Sequence, residues 1–173
     1  MGYTTSTIFL DYYVNLILTH IYGLQDLCKY LLYDSADPTA ESTISDTKIL
    51  FDDATNRRIS TIPFNIDVVD KDKTVLTVNV NESAMDRKNI YYRDIKMRFF
   101  VTCPYGLWQL SSTSGESKTR PNAIIHYLLQ LFNRQEIIGL GSTLFTRMYN
   151  IYPNQYIGGF CLELESKDFV VNN

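Results

Sequence analysis

Apolar residues recur at helical spacing near the start of the chain and again in its last third, with strand-type alternation between and after them. In Lys118–Gly141, KTRPNAIIHYLLQLFNRQEIIGLG, Thr119 can act as N-cap and Pro121 falls in the first turn, where a missing N–H costs nothing. At about 100° per residue, Ile124, Ile125, Tyr127, Leu128, Leu129, Leu131 and Phe132 cover more than half the circumference, leaving His126, Gln130, Asn133 and Arg134 as a polar strip. The spacing predicts a central helix over 119–139, ended by Gly139 or Gly141, with two faces to bury: one on its own sheet, one on a second helix or subunit. Residues 1–33 read as one long N-terminal helix, apolar at Phe9, Tyr13, Leu16, Ile17, Ile21, Leu24, Leu27, Cys28, Leu31 and Leu32, and weakest at Gly23.

The stretch 34–46, DSADPTAESTISD, reads as a polar surface excursion and a candidate mobile arm. Residues 47–110 take strand periodicity. Lys48–Phe51 and Arg57–Phe64 flank DDATN as a first hairpin, with Pro63 pushing its second strand to an edge. Thr74–Val80 alternates with Leu76, Val78 and Val80 on one face, then a polar connection spans 81–89. Ile90–Cys103 puts Ile95, Met97, Phe99 and Val101 inward and Lys96 and Arg98 outward; Leu107–Leu110 and a loop over 111–118 follow. A C-terminal hairpin over 144–165 turns at Pro153, Asn154 and Gln155, with Phe160, Leu162 and Leu164 inward and a fraying tail after it. The result is an α+β fold over residues 1–173 as one domain: antiparallel sheet, two main helices packed on one face, long hairpins and loops projecting.

Composition adds little charge-driven function. The chain of 173 residues has net charge −3, which gives no electrostatic footprint for general nucleic-acid binding. Its 13 Tyr and 9 Phe suit either a Tyr-rich sheet or surfaces buried on assembly. Cys28, Cys103 and Cys161 are odd in number and widely spaced, as expected for reduced cytosolic thiols without a leader sequence. Asp11, Asn15, His20, Gln25, Asp26 and Lys29 break the apolar run 8–32, so no membrane partner is expected.

Candidate chemistry is sparse. His20 falls on the apolar side of the first helix and reads as a hydrogen-bonded core histidine; His126 lies on the polar strip. Neither has a metal-ligand partner at i+3 or i+4, and no local nucleophile–base signature occurs. The acidic groups Asp52-Asp53 and Asp67, Asp70, Asp72 suit turns, and Gly158-Gly159 suits a strand bend or a close backbone approach. The expectation is therefore a non-enzymatic protein with no cofactor, metal or catalytic residue. A small cytosolic enzyme with a pocket, and a monomeric module that binds peptides along an exposed sheet edge, are the rival readings.

The segments RPNAIIHYLLQLF (Arg120–Phe132), IGLG (Ile138–Gly141), YIGGFCLEL (Tyr156–Leu164) and KDF (Lys167–Phe169) carry a resemblance. Over Thr74–Phe169 the chain is similar to bacteriophage neck proteins of the tail-terminator and head–tail connector type. The resemblance implies a virion protein, assembled in the host cytoplasm, that closes into a homomeric ring. Its partners would be further copies, portal or connector and tail proteins, and DNA passing through the lumen without sequence-specific binding. Position alone nominates Arg57, Arg58, His126 and Arg134 for the subunit interface, and Ser114, Gly115, Glu116 and Lys118 for a channel-lining loop.

Overall fold

The computed structural model describes residues 6–62, 64, 70–85, 92–111, 118–138 and 140–170. Strand-spaced residues build β1 (Ile59–Ser60), β2 (Val75–Met85), β3 (Tyr92–Pro104), β4 (Gln135–Ile137), β5 (Gly141–Asn154) and β6 (Ile157–Val170) into one sheet of order β1-β2-β3-β6-β5-β4. All pairings are antiparallel except β1 with β2, a departure from the purely antiparallel expectation. The predicted inward residues face one core: Leu76, Val78, Ile95, Met97, Phe99, Val101, Leu162 and Leu164 are buried, with Val80 and Phe160 packed against them. The fold is α+β, with the helices on that face of the sheet.

The first helix is two. α1 (Ser6–Tyr22) stops at Gly23, and α2 (Gln25–Leu32) restarts after Leu24, whose backbone is extended. The break is stable because α1's last carbonyls find partners: the Cys28 thiol donates to Ile21 O and the Thr47 hydroxyl to Tyr22 O. Turned in this way, α2 lies against the later helix. His20 is exposed, with its ring edge-on to Phe132 at 6.2 Å, and so is not the core histidine expected.

The 34–46 excursion is pinned to α2 rather than being a free arm. The Gln25 amide exchanges hydrogen bonds with the Ile44 backbone, and Lys29 Nζ donates to the carbonyls of Thr39 and Glu41. The first hairpin does not form among the described residues. Residues Ile49–Asp52 form one short helical turn, α3, anchored by buried Leu50, and Asp53 then accepts the N–H groups of Thr55 and Asn56 to reverse the chain. Beyond the two-residue β1, Asn79 binds the carbonyls of Thr61 and Ile62 while Phe64 stacks on Phe100 at 4.4 Å.

The central helix, α4, spans Arg120–Phe132 and ends before either glycine. Thr143 Oγ1 donates to Phe132 O, Arg134 takes a left-handed φ of 57°, and its N–H bonds Thr143 O, which turns the chain into β4. Gly141, at φ 76°, serves the β4–β5 turn instead; Gly139 lies outside the described residues. Thr119 holds the N-cap position through its carbonyl, which accepts Ala123 N–H, while its hydroxyl caps nothing. The helix's second face is met within the chain, where Tyr127 packs on Tyr30 of α2. At the other end, β6 continues to Val170, so the tail expected to fray from Ser166 is strand; Ser166 is buried and donates to Leu140 O.

Candidate assembly surface

α4 reaches β5 only at its start, around Thr143 and Phe145, whose ring meets Phe99 edge-on at 5.6 Å. A strand covered on one face buries every second residue, yet every residue of Thr146–Asn150 is exposed. Met148, opposite Leu162 in the register, is 58% exposed, and Tyr152 is 68% exposed. Tyr149, opposite Cys161 in the register and 43% exposed, stands on the other face of the strand, and Tyr156 is exposed at the hairpin tip. Beside β5 the flank of α4 that faces away from Tyr30 presents Asn122, His126 and Leu129, also exposed.

The same strand has an open edge. β4 pairs only with Gly141–Thr143, and Phe145 N–H is taken by the Asn133 side chain. From Leu144 to Asn154 the far side of β5 has no strand beside it among the described residues. β5 has a single charged residue, Arg147, and its one proline, Pro153, lies next to the turn. Of the usual edge guards, interspersed lysines and a mid-strand proline are missing, while register shifts at Phe145/Arg147 and Ile151/Asn154 bend the strand.

The opposite face of the sheet is polar, and its charges are paired with one another. Arg98 makes two bonds to Glu163, at 2.8 and 2.9 Å, with Arg147 at 3.9 Å from the same carboxylate, and Lys96 pairs with Glu165 at 3.6 Å. The hydrogen bond to Glu163 holds the Arg98 guanidinium above its ordinary value. These residues and Thr146 line a shallow concavity of about 380 Å³. Its cations and carboxylates occupy one another, so it presents no free base. The three thiols are buried; desolvation pushes Cys28 up to about 12 and Cys103 up to about 11, and raises Cys161, which keeps all three as thiols at neutral pH.

The residues nominated from sequence do not converge. Arg57 is exposed and donates to Phe51 O at 3.0 Å. Arg58 is only 7% exposed, bonded to Leu32 O and Asp34 inside the chain, which corrects its assignment to a subunit surface. His126 is exposed and hydrogen-bonded to Gln130 at 3.0 Å; Arg134 is exposed at the foot of α4. Lys118 is exposed, while Ser114, Gly115 and Glu116 lie outside the described residues.

Sequence reasoning passed over Arg120, which is 1% exposed and donates to the carbonyls of Leu107, Tyr30, Tyr33 and Ser35. Burial lowers its guanidinium below the usual value. A signal existed: a cation at the first position of a helix opposes the helix dipole, so it must serve something else. Here it serves the negative, C-terminal end of α2 together with Arg58.

Fold and surface thus define a small α+β protein in which five of the ten exposed large apolar residues among those described, Leu144, Met148, Tyr149, Tyr152 and Tyr156, lie on the β5–β6 hairpin beside an open sheet edge. The YomW family model matches residues 25–164, and the chain belongs to that family, which is phage-related. No curated protein matches the chain. No described helix is long and apolar enough to cross a membrane, and no cluster of three or more potential metal ligands occurs among the described residues.

Proposed function

We propose that this chain is a structural, non-enzymatic component of a tailed-phage virion. It forms a homomeric ring in the neck, as tail terminator or head–tail connector, and leaves DNA free to pass. The observation that carries the reading is the β5–β6 hairpin, with Met148 and Tyr152 standing in solvent beside an unpaired strand edge. Such area is costly on a monomer and ordinary at a subunit seam. A ring closes through heterologous contacts, one surface against a different one on the next copy. Membership in a phage-related family supports the same reading. The net charge of −3 suits a lumen through which DNA slides, since strong phosphate binding would hold it.

Multi-angle light scattering over a concentration series, with negative-stain microscopy of the largest species, tests this. Closed rings, alone or on addition of portal or tail proteins, support it. A chain that remains monomeric in their presence, and is absent from purified particles, overturns it. The open edge also favours a second reading, a monomeric peptide-binding module, which predicts a monomer that captures an extended peptide.

A further inference from the structure

We infer that the free edge of β5, Leu144–Asn154, is a strand acceptor filled by the β2 edge of a second copy, so that the sheet runs on from one subunit into the next. This rests on the self-assembly part of the function proposed above. Among the described residues both ends of the sheet are incompletely covered: β1 pairs with Leu76 and Thr77 of the eleven-residue β2, and β4 with the first three residues of the fourteen-residue β5. With the Asn79 side chain holding residues 61–64, the uncovered part of β2 is Val80–Met85 among the described residues.

Direction fits as well as availability. β2 runs antiparallel to β3, β3 to β6 and β6 to β5, so β2 and β5 point opposite ways. A second copy rotated about an axis along the strands therefore lays its β2 antiparallel to β5, the more stable pairing. Two different edges joined head to tail make the heterologous contact that ring closure needs.

The area is of the right order. Leu144, Met148, Tyr149, Tyr152 and Tyr156 together leave on the order of 500 Å² of side chain exposed, taking about 200 Å² for a full aromatic. A standard interface needs roughly 800 Å² from each partner, and strand pairing adds backbone area to the side-chain share.

Backbone hydrogen exchange on the full chain, at low and high concentration, reads the two edges directly. The expected result is a multimer in which amides of both 144–154 and 80–85 exchange about ten-fold or more slowly than in dilute protein. The double variant Met148→Lys and Tyr152→Lys changes only exposed side chains, and should stay folded and monomeric with both edges unprotected. A multimer whose 144–154 amides exchange as fast as in dilute protein, or whose 80–85 amides gain nothing, overturns the inference and leaves the ring standing. So does a double variant that assembles like the native chain. Protection of 144–154 only when an unrelated peptide is added overturns it in favour of peptide capture. Dimers or open filaments with both edges protected uphold the pairing while removing the ring.

Discussion

Arg120 Nη1 donates to Tyr30 O at 2.9 Å, and through that bond the first residue of α4 closes the last turn of α2. Its other N–H groups reach Leu107, Tyr33 and Ser35 carbonyls, so one fork joins both helices and the turn after β3. Arg58 adds bonds to Leu32 O and Asp34, yet its Nε and Nη1 find no partner. The helix-layer junction is therefore held by buried cations on mostly neutral acceptors.

Replacing Arg120 tests that junction. Arg120→Ala should cost about 3 kcal/mol or more, since it leaves several buried carbonyls unpaired. Arg120→Lys should recover little of this, because a point charge cannot span acceptors arranged for a planar fork. Urea unfolding monitored by circular dichroism gives both values. A lysine variant within about 1 kcal/mol of the native chain would show that the charge alone matters.

Gly159 makes a sharper claim. Opposite Thr102 in the β3–β6 pair, a Cβ built on it would lie 1.8 Å from Val101 O, closer than non-bonded atoms can sit. Gly159→Ala must push β3 and β6 apart and should cost about 3 kcal/mol or more. At Gly158 the obstruction is the Tyr105 ring, 2.8 Å away at its hydroxyl, and that side chain is exposed and can swing. Gly158→Ala should therefore be the milder change in the same thermal melt. Equal losses would mean that the backbone approach is not the constraint.

Those glycines also mark where sequence pattern served well. Period-two alternation in Leu76–Val80, Ile95–Val101 and Leu162–Leu164 can be satisfied by only one face, and that face is the core. The close approach at Gly158-Gly159 was legible for the same local reason. Local propensity failed where a distant residue decides the backbone. α4 ends because the Thr143 hydroxyl, eleven residues on, takes Phe132 O, and nothing between Phe132 and Gly139 announces that. Lys48–Phe51 alternates like a strand, but Leu50 is the only residue of that turn fully buried, and a helical turn delivers it. The excess apolar surface was legible in amount and misplaced. The over-wide stripe of α4 is met by α2 and the sheet, with Leu129 left out, and the true surplus lies on β5, whose mixed pattern GSTLFTRMYNIYPN points nowhere by itself.

Arg134 carries a smaller cost. A non-glycine side chain at φ 57° is held there by the Arg134 N–H to Thr143 O bond at 2.8 Å. Arg134→Gly keeps that bond and relieves the strain, offset by a more flexible unfolded chain, and should gain about 0.5 kcal/mol. The same variant removes a charge from the foot of α4. Normal assembly by Arg134→Gly, with the expected rise in denaturation midpoint, would take Arg134 out of the subunit interface.

Alkaline pH should unfold this protein through acids that folding desolvates: the buried Cys28 and the partly buried Tyr22 and Tyr127. Desolvation raises the Cys28 thiol from 9.0 to about 12, and Tyr22 and Tyr127 from 10.0 to about 12. Each is an acid whose folded state holds its proton more tightly than the unfolded chain. Its stabilising contribution is complete below the unfolded value and is lost as pH climbs toward the folded one. For Cys28 that window opens near pH 9 and closes near pH 12. Cys28→Ser retains a donor for Ile21 O and removes the titrating thiol, so its stability should fall less steeply over the same window. Urea midpoints taken between pH 7 and pH 11 compare the two chains. Parallel curves would show that Cys28 does not titrate with unfolding, and that the tyrosines carry the alkaline limb alone.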